Sequence, residues 1–170
     1  QGAIADYNKA IAINPQLADA YINRGAIKRV LGNYQGAIAD YNKAIAINPQ
    51  LADAYNNRGN AKSKSGDNQG AIADFNKAIA INPQYASAYN NRGEIKRRSG
   101  DPQGAIADYN KAIAIDLQHA FAYSNRGIAK RNLGDDRGGC ADYKKAVSLG
   151  NQSTAQWLNS EGGAWCRNMR

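Results

Sequence analysis

Histidine occurs once in this chain, at His119, and cysteine twice, at Cys140 and Cys166. A single histidine leaves almost nothing to titrate near neutral pH. Two cysteines so far apart are too few for a zinc cluster or a disulfide framework. No glycine-rich phosphate loop ending in lysine occurs, His119 stands alone, and neither cysteine has a predictable histidine partner. No run approaches the ~18 consecutive apolar residues of a membrane span, and no basic segment followed by an apolar run opens the chain as a signal peptide would. Acidic residues are the minority charge, 14 Asp and Glu against 22 Lys and Arg in 170 residues, for a net charge of +8. These absences predict a non-catalytic protein without metal or cofactor and without membrane insertion. The basic balance predicts an acidic partner and says nothing of the fold.

What the chain has in abundance is itself. AIADYNKAIAINP runs from Ala3 to Pro15 and again from Ala37 to Pro49; it returns as AIADFNKAIAINP from Ala71 and as AIADYNKAIAI from Ala105. The copies start at 3, 37, 71 and 105, and a worn fifth, GCADYKKAVSL, starts on schedule at Gly139. A constant step in this range predicts stacked supersecondary units, each contacting only its neighbours. The intervening segment, ADAYINRGAIKRVLG in the first unit, places Ala20, Tyr21, Ile27 and Leu31 on one side at helical spacing. Gly32 then supplies a left-handed stop and Asn33 an N-cap for the next helix. The pairs Gly66 with Asp67, Gly100 with Asp101 and Gly134 with Asp135 repeat the signal, and Pro102 sits in the favoured first turn. Each unit therefore reads as two antiparallel helices joined by a short turn.

Gly25, Gly59, Gly93 and Gly127 fall inside the first helices, where each costs about 1 kcal/mol relative to alanine. Close approach of the second helix explains them, with the small Ala37, Ala71 and Ala105 expected at the contact, Tyr21, Tyr55, Tyr89 and Tyr123 supplying bulk on one side of it and Tyr41, Phe75, Tyr109 and Tyr143 on the other. Arg24, Arg58, Arg92 and Arg126, with Lys28, Lys62, Lys96 and Lys130, lie near the packed side and need carboxylates there. Asp40, Asp74, Asp108 and Asp142 of the second helices are the expected partners, either within a repeat or, as for Arg24 with Asp6, across the joint between repeats.

The second unit carries Tyr55, Gly59, Gly66, Ala71, Phe75, Ala78 and Pro83 at fixed offsets, and the pattern closely resembles the tetratricopeptide repeat. The pentatricopeptide family, which reads RNA, has a period one residue longer, and this chain never slips to it. The resemblance implies an all-α, right-handed superhelical array, an α-solenoid. Its expected divisions are 1–17, the second helix of an incomplete leading repeat; repeats at 18–51, 52–85, 86–119 and 120–153; and a capping helix and tail at 154–170. The chain opens at Gln1, partway through a repeat, which reads as a fragment or a processed product.

The resemblance also implies that first helices line a concave face holding protein partners. Asn23, Asn57, Asn91 and Asn125 stand there once per repeat, and an asparagine can donate to and accept from an extended peptide backbone at once. Beside them lie Asp19, Asp53, Ser87 and Phe121, then Ile22, Asn56, Asn90 and Ser124, then Ala26, Asn60, Glu94 and Ile128. Arg29, Lys64, Arg97, Arg98 and Arg131 sit near the helix ends. The expected site is thus Asn23, Asn57, Asn91, Asn125, Asn56, Asn60 and Asn90 with those five cations, favouring an acidic peptide. Family members that clamp chaperone tails place positive charge where Ile22, Asn56 and Ser87 stand here, so a peptide of another kind is expected. The first helices carry 13 basic and 3 acidic residues, which makes a nucleic-acid-binding solenoid the runner-up; against it, the repeat aromatics are committed to packing. The third reading is self-association through the unfinished N-terminal helix, with its Ile4, Tyr7 and Ile11. A cytoplasmic location is expected.

The end of the chain departs from the pattern. Leu117 replaces a proline, and Ser153 to Ser160 offers Ala155, Trp157 and Leu158 as a cap stopped by Gly162 and Gly163. Cys140 takes the place of Ile38, Ile72 and Ile106, which favours a buried, inert thiol; the alternative is a bridge tying down the last helix in an oxidising compartment.

Overall fold

The computed structural model describes residues 2–169, which form helices and no strand. The chain divides into two compact units, residues 1–83 and 84–170. The first holds α1 (Gly2–Ile13), α2 (Ala18–Val30), α3 (Tyr34–Ile47), α4 (Ala52–Lys64) and α5 (Asn68–Ile81). The second holds α6 (Ala86–Arg98), α7 (Pro102–Ile115), α8 (Ala120–Asn132), α9 (Asp136–Ser148) and α10 (Gln152–Asn159). A 3-10 turn at Glu161–Gly163 and the short α11 (Ala164–Arg167) follow. Within each unit, consecutive helices pack as neighbours, and the first helices of successive repeats touch: α2 with α4, and α6 with α8.

One residue per hairpin makes the turn. The φ of Gly32 is 79°, and Gly66, Gly100 and Gly134 likewise occupy the left-handed region. That geometry lets Asn33 N donate to Lys28 O at 2.9 Å, closing α2, while the Asn33 side chain accepts from Gly36 N and caps α3. Asp67, Asp101 and Asp135 do the same with Gly70, Gly104 and Gly138. Gly150, with φ of 88°, and Asn151 add a fifth such turn before α10, which the sequence reading did not include. At the joints, Asn48 Oδ1 accepts from Gln50 N at 2.9 Å; where proline gives way to Leu117, Asp116 makes the same turn toward Gln118. His119 is the N-cap of α8, its Nδ1 accepting from Ala122 N at 3.2 Å.

The core is built from small residues against rings. Ala37, Ala44, Ala71, Ala78, Ala105 and Ala112 are fully buried, as are Tyr41 and Tyr109, and Phe75 nearly so. The helix glycines sit at the close approach expected of them, with a ring as the nearest neighbour. A Cβ at Gly25 would stand 2.9 Å from the Tyr41 ring, and at Gly59, Gly93 and Gly127 it would stand 2.8 Å from Phe75, Tyr109 and Tyr143. The aromatic ring of the second helix comes nearest, and at Gly93 the Ala105 carbonyl follows at 3.2 Å.

The chain end also differs from expectation. Cys140 and Cys166 are bonded, with Cα atoms 5.3 Å apart, so the inert-thiol reading gives way to the bridge. Gly162 and Gly163 do not stop the chain; they turn it, so that α11 returns Cys166 to a cluster with Cys140, Tyr143 and Leu158. Arg167 fastens the return by donating to the carbonyls of Leu158 and Ser160. Trp157 packs 4.7 Å from Tyr143.

Candidate functional site

Charge pairing decides which cations are available. Arg24 holds Asp40 through two hydrogen bonds, Nε at 2.9 Å and Nη2 at 2.6 Å, and Lys28 Nζ reaches the same carboxylate at 2.8 Å. Arg58 and Lys62 repeat this on Asp74, Arg92 and Lys96 on Asp108, and Arg126 and Lys130 on Asp142. The ladder therefore runs within repeats, and the carboxylates are nearly buried, 5–6% exposed. Each arginine is held charged more firmly than usual, first by its hydrogen bond to the aspartate and against the desolvation that opposes it. Across the joint the partner is an asparagine rather than Asp6: Arg24 Nη1 donates to Asn8 at 2.6 Å, and Arg58 and Arg126 donate to Asn42 and Asn110 at 2.7 Å. Tyr21, Tyr55, Tyr89 and Tyr123 lie under the four guanidinium groups at 5.3–5.4 Å.

Eight of the 13 cations on the first helices are thus consumed by four aspartates. The other five are Arg29, Lys64, Arg97, Arg98 and Arg131. Arg97 is held bidentately by Glu94 at 3.0 and 2.8 Å. The remaining four form no ion pair among the described residues.

Of the asparagine row, Asn23 is exposed, and Asn57, Asn91 and Asn125 are half-buried. Asn56 and Asn90 are buried, and Asn60 is half-buried. In the second unit the amides are linked: Asn125 Nδ2 donates to Asn90 Oδ1 at 3.0 Å, and Asn90 Nδ2 to Asn91 Oδ1 at 3.3 Å. Such a chain fixes the orientation of Asn91 and Asn125 before anything binds. Phe121, 65% exposed, stands on the first turn of α8 beside this row.

No cluster of three or more potential metal ligands exists among the described residues, and no helix among them is long and apolar enough to cross a membrane.

Models of the tetratricopeptide repeat match residues 1–28, 27–66, 52–85 and 86–119. The chain belongs to the tetratricopeptide repeat family. Among solved structures, the tetratricopeptide array is similar to MamA, at 27% identity over 89% of either chain, with a TM-score of 0.76. It is also similar to TTC0263, a thermophilic tetratricopeptide protein of Thermus thermophilus, at 18% identity over 98% of this chain and 89% of that one, with a TM-score of 0.79. A third likeness is to the APC/C hetero-tetramer Cut9–Hcn1, at 15% identity over 88% of this chain and 28% of that one, with a TM-score of 0.80. The last two establish the fold alone. Nothing among the curated proteins matches the chain. Family membership makes the protein a protein-interaction module.

Proposed function

We propose that this chain is a non-catalytic scaffold that holds an extended, acidic segment of another protein on the face built by its first helices. The observation that carries the reading is the division of the cations: the ladder engages eight on four carboxylates, and those of the first helices left without an ion pair among the described residues are Arg29, Lys64, Arg98 and Arg131. Exposed or half-buried asparagines stand on the same helices, and an amide both donates to and accepts from peptide backbone. The charged groups steer and select the partner, and the amides set its register.

The test is binding of a polyglutamate-rich peptide to the wild-type chain and to the Asn57→Ala/Asn91→Ala double variant. About tenfold weaker binding in the double variant is expected, from two lost hydrogen bonds of ordinary strength. Equal affinity removes the amides from the mechanism. The nucleic-acid reading predicts instead that mixed single-stranded DNA binds with a steep salt dependence, whereas pairing within the ladder leaves few cations to release counterions.

A further inference from the structure

The repeats differ at one place in a way that describes a missing group. In the third repeat, Glu94, Arg97 and Tyr109 form a closed set. Arg97 grips the Glu94 carboxylate through Nε and Nη2, and the Tyr109 hydroxyl donates to it at 3.4 Å. The first repeat has the same arginine and tyrosine, Arg29 and Tyr41, but Ala26 in place of the glutamate. There Arg29 Nε and the hydroxyl of the fully buried Tyr41 are left without a hydrogen-bond partner among the described residues. The second repeat lacks the whole set, with Asn60, Ser63 and Phe75. Arginine thus accompanies tyrosine in each of the four whole repeats that has either, and in the third a carboxylate completes them.

The fourth repeat keeps Arg131 and Tyr143 but puts Ile128 where Glu94 stands. No carboxylate reaches either group among the described residues. Here, moreover, the space is open: a pocket of about 290 Å3 is lined by Arg131, Tyr143, Ile128, Trp157, Ser124 and Thr154, among others. Ser124 and Thr154 hydrogen-bond to each other at 2.7 Å, and the Trp157 ring leans on Tyr143. The Arg131 guanidinium also lies over the Trp165 ring, 5.1 Å from its centre. The site therefore offers an apolar wall, one unpaired cation and one phenol, at the small end of ligand pockets.

We infer that the pocket between α8, α9 and α10 binds a carboxylate carried on a short apolar stem, seated against Arg131 and Tyr143 as Glu94 is against Arg97 and Tyr109. Within the scaffold reading, on which this inference rests for the source of the group, the stem is a glutamate side chain of the bound segment. A free monocarboxylic acid has the same chemistry.

The test is an NMR titration of the intact chain with 3-phenylpropanoate and with its neutral amide, following the Trp157 indole and the amides of Ser124 and Ile128. A parallel arm uses a short acetylated and amidated peptide with one central glutamate, and its glutamine counterpart. The acid is expected to shift the pocket resonances saturably and to bind about tenfold more tightly than the amide, the effect of one charge-assisted hydrogen bond. Arg131→Gln and Tyr143→Phe should each weaken it; Phe75 already shows that the ring alone fits this slot. Ile128→Glu rebuilds the internal carboxylate of the third repeat and should close the site while leaving the thermal transition no lower. Equal binding of acid and amide, or undiminished binding to Ile128→Glu, overturns the inference. A glutamate peptide that binds all four proteins alike overturns the pocket and leaves the scaffold reading standing. Binding of the free acid without the peptide supports the pocket and counts against an acidic segment as its occupant.

Discussion

Gly59 has no room for a methyl group, and the balance there can be estimated. Alanine would gain about 1 kcal/mol of helix propensity. Its Cβ would, however, sit 2.8 Å from the edge of Phe75, a ring 1% exposed and unable to retreat. Overpacking of this kind costs about 1–3 kcal/mol, so it wins. Gly59→Ala should destabilise the chain by about 1 kcal/mol in a urea titration, and a gain would show that the ring moves. At this scale the sequence was partly legible. That Arg58 and Lys62 need a carboxylate of a second helix followed from helical spacing, because burying a cation without a partner is costly; that it is Asp74 of the same repeat needed distances. Phe75 was expected at this contact, but that its ring rather than Ala71 comes nearest to Gly59 depends on how the two helices are rotated about each other, which a period does not contain. The Arg–Tyr–carboxylate set was legible in principle: Ser63 and Phe75 change together where Arg97 and Tyr109 are kept.

At the scale of elements, one residue in each hairpin turn, Asn33 or its aspartate counterpart, closes one helix with its backbone and opens the next with its side chain. The signals for this were local, glycine then Asn or Asp, and the structure has the four expected turns. The tail was less readable, since Gly162 and Gly163 specify a change of direction but not its destination, and cysteine pairing is a question of distance. The bridge closes a loop with a sequence separation of 26, for which loop-closure entropy gives about 3.5 kcal/mol. Reduction should therefore loosen α10 and α11 first. Hydrogen exchange with and without reductant should show protection falling from Gln152 onward while the amides of α2 to α7 keep theirs. Unchanged protection at Trp157 would show that Arg167 and the tryptophans hold the tail unaided. Such a bridge persists in oxidising surroundings and opens in a reducing cytosol, so the Trp157 wall of the pocket is sensitive to compartment.

For the whole molecule, the response to alkali follows from three buried phenols. Tyr41, Tyr109 and Tyr143 are raised above their ordinary range, chiefly by burial, with Arg29, Arg97 and Arg131 respectively pulling the other way. The folded chain therefore holds these protons to higher pH than the unfolded chain, whose tyrosines lose them near pH ~10. The stability they contribute is complete below about pH 10 and is lost as pH climbs past it. Urea midpoints should fall steeply above that value, and Tyr41→Phe should flatten the fall; parallel curves would assign the loss to other groups. The all-helical repeat fold was legible in full because the same signals recur at a constant step. The candidate residues could be named from the sequence, but which cations the ladder engages needed distances. That ladder has one more consequence. Since Arg58, Lys62 and Asp74 lie inside one period and Arg58 reaches only to Asn42 of the period before, a tandem copy of residues 52–85 would arrive with its own counter-charges and find an asparagine waiting. Lengthening by duplication therefore strands no buried carboxylate, and each added module raises the net charge by only one.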